Sequence, residues 1–239
     1  MKMGIVAFSL ALSLFSLILL RAKPAFSINK KVLLMYAHIV CLVFPLFFYL
    51  FFNGCASFLS SCSTLKTTLY LIILTGITAA ILGAILAPLL FLKLSEQKSR
   101  QIHTGRAHTC ITHTAEAFGI TSPRVYVLNT AHPLAFSSTL FGRRDIFISA
   151  GMADLLTERE LEAVLLHELG HIKNASSRLK FSALIMRLFS PAYPFMSLHT
   201  ILSCDERSAD QFAATCQKTA RHIDSAKRTL AQYVVQERE

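Results

Sequence analysis

Two short clusters in the C-terminal half of the chain carry the residue types that hold metal ions. His167-Glu168-Leu169-Gly170-His171 sets two imidazoles four residues apart. On a helix that spacing puts both on one face, within reach of a single ion. Glu168 lies beside that face, where its carboxylate can take a proton from a water held by the ion without being a ligand itself. Thirty-five residues after His171 comes Glu206, in the run Asp205-Glu206-Arg207-Ser208-Ala209-Asp210. Glu206 offers a third ligand. Asp210, one helical turn later, offers an acceptor for the free nitrogen of a ligating histidine. A catalytic zinc site needs three protein ligands and one open position, and His167, His171 and Glu206 meet that number. Alone, each cluster has a plainer reading: histidines satisfied by neighbours, and a solvated helix face. Together they favour a centre holding one Zn2+, the ion that best suits a His, His, Glu set.

Such a centre needs rigid elements beneath it. The residues from Thr157 to Asn174 read as the clearest helix, opened by a Thr157/Glu160 capping box. Ser203 to Lys218 and Ile223 to Gln236 read as two further helices. Ser99 to Phe118 reads as another, stopped by Gly119. Arg124 to Leu128, after Pro123, is a β-branched and aromatic run, hence a strand. Ala135 to Ser138 and Asp145 to Ser149 are two more strand candidates, separated by a turn at Gly142. The Asp145 to Ser149 strand is a candidate sheet edge for pairing with an extended peptide. The mixture predicts an α+β domain over residues 93–239.

The N-terminal portion has a different chemistry. The 239 residues are 53% hydrophobic, and the mean hydropathy is +0.50, too apolar for an ordinary soluble domain. Six of the 24 Lys and Arg residues precede Lys93, and none of the 14 acidic residues does. Three apolar runs at about 3–20, 32–52 and 69–92 reach the length of roughly 20 residues that crosses a hydrocarbon core. The chain therefore divides into a membrane region, 1–92, with three transmembrane helices, and a water-facing domain, 93–239. Lys and Arg crowd the first loop (Arg21, Lys23, Lys30, Lys31) and the start of the domain, while the second loop holds only Lys66. That asymmetry places the N-terminus outside and the domain in the cytoplasm, in a membrane of the prokaryotic cell type. Cys55 and Cys62 then fall in the outer loop, where either a disulfide or two thiols fits. Residues 181–202 are apolar but interrupted by Arg187, Pro191, Pro194 and His199. They read as a hairpin or interfacial stretch, with a fourth span as the alternative.

The net charge of +10 raises nucleic acid as a partner, but no basic stripe with interleaved aromatics, zinc-finger spacing or RNP-like segment accompanies it. His103, His108 and His113 recur every five residues, which scatters them around a helix instead of aligning them.

H-E-L-G-H followed by E-R-S-A-D, behind N-terminal spans, resembles the integral-membrane gluzincin metallopeptidases. That group includes the CAAX prenyl proteases, the heat-shock membrane proteases and the beta-lactam sensor-transducers. The resemblance covers roughly Arg124 to Ala214, including Arg144-Asp145-Ile146-Phe147-Ile148-Ser149 and Leu161-Glu162-Ala163-Val164-Leu165-Leu166. It implies a zincin-like fold with His167, His171 and Glu206 as zinc ligands, Glu168 as general base and Asp210 as an orienting residue. The expected function is hydrolysis of peptide bonds in protein substrates at the surface of a lipid bilayer. His199, Tyr193 and Arg207 are candidates for a second donor to the oxyanion. Two other readings stay open: a signalling protease that cleaves a cytoplasmic regulator, and a silent scaffold that binds metal for folding. Glu168 separates scaffold from enzyme, since a scaffold has no use for an acid beside the ion.

Overall fold

The computed structural model describes residues 2–23, 26–57, 86, 89–102, 104–139, 142–195 and 198–236. By its internal packing the chain divides into two compact units. One comprises Met1–Leu92 with Phe181–Leu198, and the other Lys93–Lys180 with His199–Glu239.

The first unit is built on two long helices, α1 (Lys2–Ala22) and α2 (Ile28–Ser57), the second with Pro45 inside it. Met3–Ala22 and Ile28–Leu46 are each long and apolar enough to cross a membrane. Of the expected third span, only residues 86 and 89–92 are described, and they are helical; the Cys55–Cys62 pairing also falls outside, because Cys62 is not described. The exposed surface of α1 is apolar, with Phe8, Leu14, Phe15 and Ile18 all outward-facing, as lipid contact requires. The inward face is polar and satisfied. Ser9 donates to the Cys41 carbonyl at 2.6 Å, and Ser13 Oγ lies 2.8 Å from His38 Nδ1. His38 Nε2 in turn lies 2.8 Å from Ser190 Oγ, so a buried histidine bonds α1, α2 and the 181–198 segment to one another. That segment is not one long helix. It is the end of α6 (Ser176–Phe189), a break at Ser190 and Pro191, and a 3-10 turn at Tyr193–Phe195.

The second unit is α+β. Its four-stranded sheet has the order β1 (Ser99–Ile102), β2 (Arg124–Leu128), β4 (Asp145–Ser149), β3 (Ala135–Ser138). β1 and β3 run antiparallel to their neighbours, whereas β2 and β4 are parallel. Two expectations are corrected here. Ser99–Ile102 is a strand, and the helix behind it, α3, spans only Arg106–Ala117. The segment SRQI becomes a strand because β2 supplies a paired edge, and Gly105, at φ 117°, separates it from the helix. Gly119, at φ 64°, does follow the helix as its stop. Secondly, Asp145–Ser149 is not an edge: it is bonded on both sides and buried along its whole length. The edge on that side is β3.

The sheet is followed by α4 (Ala150–Leu155), α5 (Glu158–Asn174), α6, α7 (Leu198–Gln217) and α8 (Arg221–Gln236). α5 begins as its sequence dictates, with the Thr157 N–H donating to Glu160 Oε2 at 2.9 Å. Its apolar residues Leu165, Leu166, Leu169 and Ile172 share one core with Val125, Ile146 and Ile148 of the sheet, Ile111 of α3 and Phe212 of α7. Its other flank, Ala163 and Val164, meets Ile223 and Ala226 of α8. A helix held on three sides in this way is a rigid platform for whatever its remaining face carries.

Candidate metal centre

The remaining face of α5 carries His167 and His171. Their Nε2 atoms face each other at 3.1 Å. Across from them, on α7, Glu206 places Oε2 at 3.4 Å from His167 Nε2 and 3.3 Å from His171 Nε2. A tetrahedral ion with bonds of about 2.0–2.1 Å has vertices about 3.3 Å apart. The three donor atoms thus occupy three corners of such a tetrahedron, and the set of two imidazoles and a carboxylate suits zinc.

α7 can come this close because of Gly170. A Cβ at that position would lie 3.1 Å from the Ala209 Cα and 3.3 Å from the Phe212 side chain, so α5 and α7 meet there with almost no side chain between them. Asp210 lies on the same side, with Oδ1 2.9 Å from His167 Nδ1 and Oδ2 paired with Lys227.

The sequence reading did not single out Asp205. It is buried, with Oδ2 3.3 Å from His171 Nδ1 and Oδ1 accepting a 2.7 Å bond from Ser176. Ser176 reaches it because α5 ends in an elbow: Ala175 adopts the left-handed conformation at φ 55°, and α6 starts on the next residue. Each histidine thus has a carboxylate behind Nδ1, leaving Nε2 directed at the centre. His167 Nδ1, Asp205 Oδ2 and Asp210 Oδ1 are buried and fall short of full hydrogen-bond geometry; the hydrogen bond that His171 Nδ1 makes is with Ser176 Oγ at 3.2 Å.

The electrostatics match this arrangement. Burial works against a charged His171, but Asp205 and Glu206 outweigh it and hold its pKa up to about 9. Hydrogen bonds from His167 and His171 hold Glu206 far below the usual carboxylate range. Burial would raise Asp205, but its bonds from His171 and Ser176 prevail and lower it. The cluster therefore favours positive charge at its middle.

Glu168 and the three donors line one open pocket. The opposite wall is the outer strand β3, through Ala135, Phe136 and Ser137, and the remaining wall is Ser176, Ser177 and Lys180 of α6. Among the described residues of that lining Lys180 is the only lysine or arginine, with Nζ 3.1 Å from Glu206 Oε1; it too escaped the sequence reading. Of the three oxyanion candidates, Arg207 is exposed on α7 and not part of this lining. Tyr193 belongs to the first unit, and the His199 side chain lies outside the described residues.

An α+β domain with two helix-borne histidines, a carboxylate from a later helix and an acid beside them is the architecture of a zincin-type metallopeptidase. Residues 101–233 match the sequence profile of Peptidase family M48, and the chain belongs to that family. A "Protease HtpX homolog" of Dictyoglomus thermophilum is 38% identical over 71 residues, which are 29% of this chain and 23% of the relative. The "Plastoglobule-localized metallopeptidase 48, chloroplastic" of Arabidopsis thaliana is 37% identical over 67 residues, 28% of this chain and 20% of the relative. The matched stretch thus spans less than a quarter of the length of these relatives. Among solved structures, the crystal structure of S. mikatae Ste24p aligns with 85% of this chain and 58% of its own, at 14% identity and a TM-score of 0.39.

Proposed function

We propose that this protein is a membrane-anchored zinc endopeptidase, with His167, His171 and Glu206 as metal ligands, Glu168 as general base and Asp210 as an orienting residue. One observation carries the reading: three donor atoms at tetrahedral spacing, 3.1, 3.3 and 3.4 Å apart, in the pocket that Glu168 also lines. A Zn2+ ion held by these three residues would supply Lewis acidity to an attacking water. Glu168 takes the proton of the attacking water and delivers it to the departing amine. β3, the outermost of the described strands, is the edge along which an extended substrate can align, with its scissile carbonyl toward the histidines. The loop charges support a cytoplasmic domain with the N-terminus outside.

Metal content and peptide cleavage, measured together on detergent-purified protein, test this. Glu168→Gln keeps the side chain's size but cannot accept a proton, so it should retain zinc and lose cleavage by about a hundredfold to ten-thousandfold. His167→Ala, His171→Ala and Glu206→Ala should each lose zinc. Undiminished cleavage by Glu168→Gln would remove the glutamate from the mechanism, and stoichiometric zinc in Glu206→Ala would remove the third ligand.

A further inference from the structure

Burial distinguishes the three donors. The side chains of His167 and His171 are 12% and 5% exposed, whereas that of Glu206 is 45% exposed. Packing therefore fixes the imidazoles but leaves the carboxylate free to rotate. Each imidazole also has an aspartate behind it, at Asp210 or Asp205. The group that plays this part for Glu206 is Lys180. The two oxygens of Glu206 are divided between different partners: Oε2 faces both histidines, and Oε1 receives the Lys180 ammonium at 3.1 Å.

The origin of that contact is a match between two helices. Ser176 and Lys180 stand one turn apart at the start of α6, and hence on one face. Asp205 and Glu206 are adjacent on α7. Ser176 donates to Asp205 at 2.7 Å and Lys180 to Glu206 at 3.1 Å. One face of α6 thus holds a pair of neighbouring carboxylates, one serving His171 and one serving the centre directly.

We propose that Lys180 is a positioning residue that confines Glu206 to coordination through a single oxygen. A carboxylate with both oxygens free can turn to chelate an ion, filling the position that an attacking water needs. With Oε1 committed to an ammonium, only Oε2 is available. This rests on Glu206 being a ligand, and it opposes the simplest electrostatic expectation. A lysine acting only through its charge repels a dication, and its removal would tighten metal binding. A lysine acting through position stabilises the ligand, and its removal weakens binding.

The full chain in detergent decides between them. Zn2+ affinity is measured by competition with a chromophoric chelator, and coordination by the visible spectrum of the Co2+-loaded protein. Lys180→Met should weaken Zn2+ binding on the order of tenfold. It should also reduce the intensity of the Co2+ bands, as the unheld carboxylate turns to two-oxygen coordination, a strained four-membered chelate that returns less than the lost ordering of the ligand costs. Lys180→Arg, which keeps a cation at that place, should restore both. Unchanged or tighter Zn2+ binding in Lys180→Met, or a Co2+ spectrum identical to wild type, would overturn the proposal. Glu206→Ala run beside it separates the two claims: undiminished affinity there would refute the ligand assignment itself, and with it any role for Lys180 in positioning that ligand.

Discussion

Asp205 stands beside the proposed ligand Glu206 and faces another proposed ligand, His171. Its contacts with His171 and Ser176 are buried, and a charge-assisted bond away from water is worth more than one at the surface. Asp210 plays the matching part for His167, but its side chain is 29% exposed and shared with Lys227. Asp205→Ala should therefore cost about ten- to a hundredfold in zinc affinity, and Asp210→Ala less; titration with a zinc chelator would show the order, and the reverse order would contradict this assignment. The pair also shows what can be read from sequence. Asp210 was legible because it stands one turn from Glu206, a relation that helix periodicity makes visible. Asp205 was not, because its neighbour Glu206 already satisfied the motif and its partner Ser176 arrives on another helix through a left-handed elbow at Ala175. Lys180 stayed hidden for the same reason.

Elements that depend on local signals were readable, and those that depend on partners were not. The helix over 158–174 followed from its capping box and apolar period, and β2, β3 and β4 from short β-branched runs between turn residues. β1 is four residues, SRQI, whose strand character comes from pairing with β2. Strand order posed the same difficulty. The β4 run reads equally well as an edge or a centre until β2 and β3 are seen on either side of it. The contact that brings the motifs together is also non-local: Gly170 of α5 lies against Ala209 and Phe212 of α7. Glycine inside a helix costs roughly 1 kcal/mol against alanine, and close packing is the return. Gly170→Val should push α7 outward. The overpacking should lower stability by about 1–3 kcal/mol and weaken zinc binding at the same time, since Glu206 rides on α7. A melting curve with and without excess zinc would register both; a variant with normal metal affinity would show that α7 is placed by other contacts.

For the molecule as a whole, the charge asymmetry around the N-terminal segments makes a topological prediction. A reporter fused after Glu239 should register cytoplasm and one inserted near Ser60 the outside. The opposite pattern would reverse the proposed orientation of the peptidase domain.

The bond between His38 and Ser190 has a practical consequence for dissecting this protein. Sequence invites a cut at Lys93, leaving every motif residue in a compact and mostly polar fragment. Yet that fragment contains Phe181–Leu198, which packs with the N-terminal helices. There Ala183, Met186 and Ser190 are buried, and Ser190 accepts or donates a bond to a histidine that the cut would discard. Freed of those helices, the stretch between the two metal-binding motifs would present apolar side chains to water at roughly 25 cal/mol for each Å² uncovered. Expressed alone, residues 93–239 should be recovered only with detergent and elute as aggregates without it. A monodisperse, zinc-loaded fragment in plain buffer would prove the protein modular; otherwise the N-terminal helices and the proposed peptidase domain are one piece, and truncation is the wrong tool for separating them.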